Sequence, residues 1–135
     1  MSGVRADALV PFEVVEDTIP APLTSQPGDA ERGRAVYVDR DRGHCLLCHV
    51  SAHVQEPFAG TIGPDLSTVA DVYGAGQLRY RVVDSTLMNP DTVMPSYYRV
   101  DGLVQVDAAF DGQPVLTAQE VEDLIAFLLT FRGTK

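Results

Sequence analysis

The two cysteines of this chain lie close together and are followed by a histidine. Cys45 and Cys48 are separated by two residues, and His49 comes directly after the second. This Cys-x-x-Cys-His spacing is the attachment motif of a c-type haem. One helical turn carries two thiols to the two vinyl groups of a porphyrin, and the histidine then lies beneath the iron as its proximal ligand. We therefore predict one covalently bound haem c.

Two other uses of the motif are open. A redox disulfide, as in thioredoxin-like proteins, would follow a strand, whereas residues 39–43 are charged and turn-forming. A zinc site could recruit His44, His49 and His53. However, zinc fingers normally leave about a dozen residues between the cysteine pair and the histidines. The spacing therefore favours covalent haem.

The second axial ligand of such a haem must come from few side chains. Met94 stands between Pro90 and Pro95. Pro95 keeps Met94 out of helical geometry, and Pro90 stiffens the approach. Ligation by His49 and Met94 would fill both axial positions and raise the reduction potential, which indicates electron transfer rather than oxygen chemistry. The alternatives are Met88, His44, His53 and an open site.

Length and charge limit the remaining possibilities. A chain of 135 residues forms one domain that buries roughly two-thirds of its unfolded surface. No run approaches the ~20 apolar residues that span a bilayer, so we expect no membrane insertion. The net charge of −9 argues against a nucleic-acid partner and favours partners with basic patches. No leader opens the chain, so we expect the mature form of a periplasmic protein.

The chain divides into an extended N-terminal arm, residues 1–28, and a monohaem domain, residues 29–135. Pro20, Pro22 and Pro27 prevent a helix through much of the arm. The apolar residues of the arm can lie across its own domain or reach a partner. The sequence leaves both arrangements open.

Three helices are predicted in the haem domain. The first begins after Asp29, and the second runs from about residue 77 to 88. The third follows a capping box at Thr117. Gly33 in the first helix costs about 1 kcal/mol relative to alanine, which indicates that another backbone crosses closely there. An N-terminal helix that crosses a C-terminal helix at a glycine, with aromatic residues around the contact, resembles the all-α class I cytochrome c fold.

Two further features lie between these helices. The segment 63–66 resembles the Gly-Pro-x-Leu element of cytochromes c, which implies that the Pro64 carbonyl orients His49 through its other ring nitrogen. Arg79 and Arg81 are interpreted as solvated surface residues, and pairing with haem propionates or with an anionic ligand is the alternative.

Longer segments narrow the resemblance. Together they are similar to SoxX, the small haem subunit of the SoxAX cytochromes of bacterial sulfur oxidation, over roughly residues 19–135. A loop at 104–112 is more acidic than we expect of that family. The segments are residues 19–24, 27–29, 32–34, 89–99, 101–103 and 114–120.

The resemblance implies a periplasmic heterodimer with a SoxA-like haem subunit. That complex, an L-cysteine S-thiosulfotransferase, joins thiosulfate oxidatively to a cysteine of a SoxYZ-like carrier, and electrons leave to a small soluble cytochrome. Because haem would consume both cysteines, we expect a redox subunit without a catalytic residue that is inactive alone. Tyr97, Tyr98 and Arg99 are expected at the haem edge, at the interface or in the core.

Two other functions remain open at this stage. A stand-alone, diffusible periplasmic electron carrier would be a stable monomer with charge around the haem edge. A sensor would release its methionine to a gas or an anion. Co-purification with a second haem protein separates the subunit from the carrier, and carbon monoxide binding identifies the sensor.

Overall fold

The computed structural model describes residues 10–54, 60–98 and 115–133, and the regular structure in these ranges is helical. Extended backbone pairs there only in two isolated bridges, Val15 with Thr18 and Ser51 with Val54. No helix in the described ranges has the length and apolar character needed to cross a bilayer. The elements are α1 (Ala30–Val38), α2 (Val69–Val72), α3 (Ala75–Val83) and α4 (Ala118–Leu128), with single 3₁₀ turns at Cys45–Leu47 and Ser85–Leu87.

The core forms where α1 crosses α4 at Gly33. A Cβ atom at Gly33 would lie 1.9 Å from the carbonyl oxygen of Asp123 and 2.8 Å from the Cβ of Phe127. The two backbones can approach this closely only because glycine has no side chain. Beside the crossing, Tyr37 packs edge-on against Phe127, with their ring centroids 5.5 Å apart. The close crossing predicted from Gly33 is confirmed.

Replacing Gly33 by alanine will therefore force the two helices apart. We expect the free energy of unfolding to fall by about 3 kcal/mol, because the added carbon overlaps backbone that cannot rotate away. Denaturant unfolding followed by circular dichroism measures this change. Gly74→Ala is the matched control, since a Cβ there meets no atom within 4 Å. Equal losses in the two variants would contradict the prediction.

Polar side chains cap the start of α4 and join the middle of α4 to the start of α1. The predicted capping box is present: Thr117 Oγ1 accepts from the Glu120 N–H, and the Thr117 N–H donates to Glu120 Oε1. At the start of α1, Asp123 accepts from the Asp29 N–H at 2.9 Å and from Arg32 Nε at 3.0 Å. Burial raises the pKa of Asp123, but these hydrogen bonds outweigh burial, so its pKa lies below the usual range. The carboxylate therefore stays charged at neutral pH.

The described part of the N-terminal arm packs on its own domain. Ile19 and Leu23 are buried in the core, and the Ile19 N–H donates to the Gly76 carbonyl at 3.0 Å. Residues 11–17 are exposed. The arm therefore lies across its own domain from Thr18 onwards, whereas the division of the chain at residue 28 stays a prediction.

Arg79 is buried, so its interpretation as a solvated residue or a propionate partner is wrong. Its Nε and Nη2 donate to the two carboxylate oxygens of Glu122 at 2.8 and 2.9 Å. Its Nη1 donates to the Ile19 carbonyl at 2.7 Å, and Glu122 also accepts from the Leu23 N–H at 3.0 Å. One buried ion pair therefore joins α3, α4 and the N-terminal arm.

The helix predicted to reach residue 88 ends earlier, at Val83. Asp84 has extended backbone angles, and its side chain accepts from the Thr86 N–H at the start of the next 3₁₀ turn. Short polar side chains such as Asp84 and Ser85 compete with the helix for backbone hydrogen bonds. The prediction is therefore wrong beyond Val83, and Met88 lies after the 3₁₀ turn.

Candidate functional site

A cavity of about 670 Å³ lies between the cysteine motif, the turn at 62–66, α3 and the residues around Met94. Its walls are mostly apolar, as in cofactor pockets, and Arg42 and Arg81 are the arginines among them. The cavity brings together residues that the sequence predicted to serve one cofactor. All the predicted site residues line it: Cys45, Cys48, His49, Pro64 and Met94.

The cysteine motif forms a tight turn at the edge of this cavity. Cys45 begins a 3₁₀ turn, and its carbonyl accepts from the Cys48 N–H at 3.2 Å and the His49 N–H at 2.9 Å. The turn places both cysteines and His49 in the lining, and both thiols are free. Burial, with a smaller contribution from Cys48, raises the pKa of the Cys45 thiol to about 12. Cys45 is therefore a poor nucleophile at neutral pH.

The His49 ring is held in one orientation. Its Nδ1 lies 2.7 Å from the Pro64 carbonyl oxygen, which can only accept, so Nδ1 carries the hydrogen. In the neutral ring the other nitrogen, Nε2, then has a free lone pair. A Cβ atom at Gly63 would lie 2.3 Å from His49 Cε1, so the ring rests directly on the glycine backbone. This arrangement is typical of a histidine that ligates a metal.

Two thioethers line the cavity. Met94 is half-buried, and its carbonyl accepts from Ser85 Oγ at 2.8 Å while its N–H donates to Thr92 Oγ1 at 3.1 Å. Met88 also lines the cavity, with 51% of its surface exposed. Met94 is therefore the less exposed of the two.

His44 and His53, the histidine alternatives for the second axial ligand, lie in different surroundings. His53 does not line the cavity: its ring stacks on Phe131, with centroids 5.0 Å apart, and its Nε2 lies 2.8 Å from the Ser67 carbonyl. His44 is in the lining. Among the described residues, no three His, Cys, Asp or Glu side chains are grouped to hold a metal ion. The zinc alternative, which needs His53 beside His49, has no supporting geometry.

The arginines at the cavity have different partners. Arg42 forms an ion pair with Glu120, whereas Arg81 stacks on the Tyr73 ring at 4.0 Å and donates to the Gln77 carbonyl at 3.0 Å. Within the described ranges Arg81 has no carboxylate partner. Sequence reasoning missed Tyr73, because nothing in the chain pattern pairs it with a residue on the next helix.

Tyr97 and Tyr98 are both buried but face different surroundings. Tyr97 lines the cavity and its hydroxyl donates to the Gly43 carbonyl at 2.6 Å. Burial raises the pKa of Tyr97 above its usual range, and nearby Cys45 adds to the effect. Tyr98 is absent from the lining, and its hydroxyl accepts from the Val10 N–H at 2.7 Å. Arg99 and the acidic loop at 104–112 lie outside the described residues.

Exposed apolar side chains surround the same cavity. Such side chains usually mark a surface that another molecule covers when they occur together. The sequence did not single them out, because isolated apolar residues in loops and in very short helices carry no periodic pattern. We call these four residues the apolar rim: Leu47, Ile62, Val72 and Val93, which are 60 to 78% exposed.

Comparison with known proteins settles the family. No family model and no curated protein matches the chain. Among solved structures it is similar to the crystal structure of SoxXA from P. pantotrophus, with a TM-score of 0.83 and 34% sequence identity. The match covers 90% of this chain and 95% of that chain. The chain belongs to the SoxX family. The motif-based resemblance to SoxX and the all-α class I cytochrome c fold are thereby confirmed.

Proposed function

We propose that this chain is the electron-transfer haem subunit of a SoxAX-type complex. The proposed complex conjugates thiosulfate oxidatively to a cysteine of a SoxYZ-like carrier and passes electrons to a small soluble cytochrome in the periplasm. One observation carries the proposal: both cysteines, a fixed histidine and a thioether line a single apolar cavity. The similarity to SoxXA over nearly the whole chain supports it.

Each wall of the cavity has a part in holding the proposed haem. Cys45 and Cys48 would bind the ring covalently, and His49 and Met94 would be the axial ligands of the iron. The Pro64 carbonyl keeps the His49 Nδ1–H engaged, so Nε2 would be the atom that binds the iron. When bound, the haem supplies a one-electron redox couple whose potential the thioether raises.

Arg81 supplies a positive charge at this cavity. It rests on the Tyr73 ring and has no acidic partner in the described part of the chain. A guanidinium pairs well with a carboxylate, since it offers parallel N–H donors. We therefore assign Arg81, and not the buried Arg79, to the carboxylates of the haem.

The cysteines of this chain are not suited to the sulfur chemistry. Forming a sulfur–sulfur bond needs a reactive thiolate, and the half-buried Cys45 thiol has a raised pKa. Haem attachment would remove both thiols altogether. We therefore assign bond formation to the SoxA-like subunit and to the carrier, and the electron route to this chain. The isolated chain would then be inactive as a thiosulfotransferase.

The apolar rim favours a subunit over a stand-alone carrier. A diffusible carrier meets its partners briefly and is expected to surround its redox centre with charge. Here Ile62 and Val93 at the cavity edge are 72% and 78% exposed and apolar. Such a surface is costly to leave in water and is better suited to a lasting interface.

Thiosulfate-dependent turnover tests the function. The haem-loaded chain is assayed with a SoxYZ-like carrier and a cytochrome acceptor, with and without a SoxA-like subunit. We expect turnover only when both haem subunits are present. Turnover by this chain alone, or turnover by the SoxA-like subunit that does not increase when this chain is added, would contradict the proposal.

A substitution in the rim tests the interface. Val72→Asp places a charge where the proposed partner would exclude water, so we expect its affinity for the SoxA-like subunit to fall by about tenfold or more. Val15→Asp is the control, because Val15 is also exposed and apolar but does not line the cavity. Calorimetric titration measures both affinities, and equal affinities would contradict this interface.

A further inference from the structure

We infer that Tyr97 is a positioning residue that ties the two walls of the cavity together and so keeps Met94 at the cofactor. This inference rests on the proposed haem site. The Tyr97 hydroxyl bonds to the backbone carbonyl of Gly43 and not to a ligand side chain. It acts through the backbone on each side.

The tie is a buried hydrogen bond between distant parts of the chain. Tyr97 is 7% exposed, and its hydroxyl donates to the Gly43 carbonyl at 2.6 Å across 54 residues of sequence. Gly43 comes shortly before Cys45, and Tyr97 comes shortly after Met94. In the described chain, no other hydrogen bond joins residues 42–49 to residues 88–98. The phenol is therefore the direct polar link between the cysteine wall and the methionine wall.

The cysteine end of this tie is fixed by α1. The Gly43 N–H donates to the Val36 carbonyl at 3.1 Å. A Cβ atom at Gly43 would lie 2.9 Å from the same carbonyl oxygen and 3.3 Å from the Cys45 sulfur. Gly43 is thus packed between the end of α1 and the first thiol. Its carbonyl, which accepts the Tyr97 hydrogen bond, is therefore held in place.

The methionine end is fixed by the last turn of α3 and the residues that follow it. The Tyr97 N–H donates to the Val82 carbonyl at 3.2 Å, and Ser96 Oγ donates to Asp84 at 2.6 Å. Ser85 Oγ donates to the Met94 carbonyl at 2.8 Å. These bonds hold the loop to its own wall of the cavity. Among the described residues of this wall, the Tyr97 phenol alone extends the support across to Gly43.

Two adjacent tyrosines allow a matched test. Tyr97→Phe and Tyr98→Phe each remove one buried hydroxyl with one hydrogen bond, but only Tyr97 lines the cavity. Both variants are prepared in the haem-loaded chain, and imidazole is titrated against the oxidised form, where it competes with Met94 for the iron. The methionine-to-iron charge-transfer band reports how much Met94 remains bound.

We expect Tyr97→Phe to raise the apparent affinity for imidazole about tenfold, which corresponds to the loss of one hydrogen bond of ordinary strength from the methionine-bound state. Tyr98→Phe should leave this affinity unchanged, even if both variants unfold at a lower temperature. Equal imidazole affinities in the two variants, with a normal charge-transfer band in the unsubstituted chain, would overturn the role of Tyr97 alone. A chain that lacks the band before any substitution would instead overturn the proposed Met94 ligation, and this inference with it.

Discussion

Replacing Arg79 by methionine will lower the free energy of unfolding by about 3–5 kcal/mol, the largest stability effect that we expect in this chain. The substitution leaves the Glu122 carboxylate buried and without its cation, since both side chains are almost fully covered. It also removes the donor that binds the Ile19 carbonyl. The N-terminal arm would then lose one of its attachments to α3.

Denaturant unfolding measures this loss of stability, and two further variants identify its cause. Arg132→Met breaks an ion pair with Asp71 in which both partners are well exposed, so we expect a change below about 1 kcal/mol. The double variant Arg79→Met with Glu122→Leu should be more stable than Arg79→Met alone, because an apolar pair carries no unpaired charge. If Arg79→Met is no less stable than Arg132→Met, the buried ion pair does not contribute to stability as predicted.

Replacing Met94 by alanine will remove the second axial ligand of the proposed haem. We expect the reduction potential to fall by on the order of 0.1 V, because the thioether is the ligand that raises it. The vacated position should also bind carbon monoxide in the reduced protein. Redox titration and the carbon monoxide difference spectrum measure the two effects.

Met88→Ala is the control for this prediction. Met88 lines the same cavity, but more than half of its surface is exposed, whereas Met94 is half-buried. We expect Met88→Ala to keep the unsubstituted potential. The reverse result would be a lower reduction potential in Met88→Ala and an unchanged one in Met94→Ala. It would identify Met88, and not Met94, as the axial ligand.

The features that sequence reasoning predicted well depend on short-range chemistry. Cys45, Cys48 and His49 are neighbours in the sequence, so their shared place in the cavity lining was predictable, whereas haem attachment to them stays a prediction. The capping box at Thr117 is local for the same reason. Gly33 was informative because a glycine inside a helix is unfavourable unless close packing requires it.

The features that it missed depend on contacts between distant residues. Arg79 and Glu122 are 43 residues apart in sequence, and no periodic pattern shows that both enter the core. The hydrogen bond from Tyr97 to Gly43 spans 54 residues. The end of α3 at Val83 was missed because Asp84 forms a side-chain cap that helix periodicity does not register.

Intact-mass spectrometry under denaturing conditions tests the central claim most directly. The chain is produced with a bacterial haem c maturation system and then treated with a thiol-alkylating reagent. We predict a mass equal to the polypeptide plus one haem, carried on the peptide that contains Cys45 and Cys48, and no alkylated cysteine. A mass of the polypeptide alone with both cysteines alkylated would contradict the account.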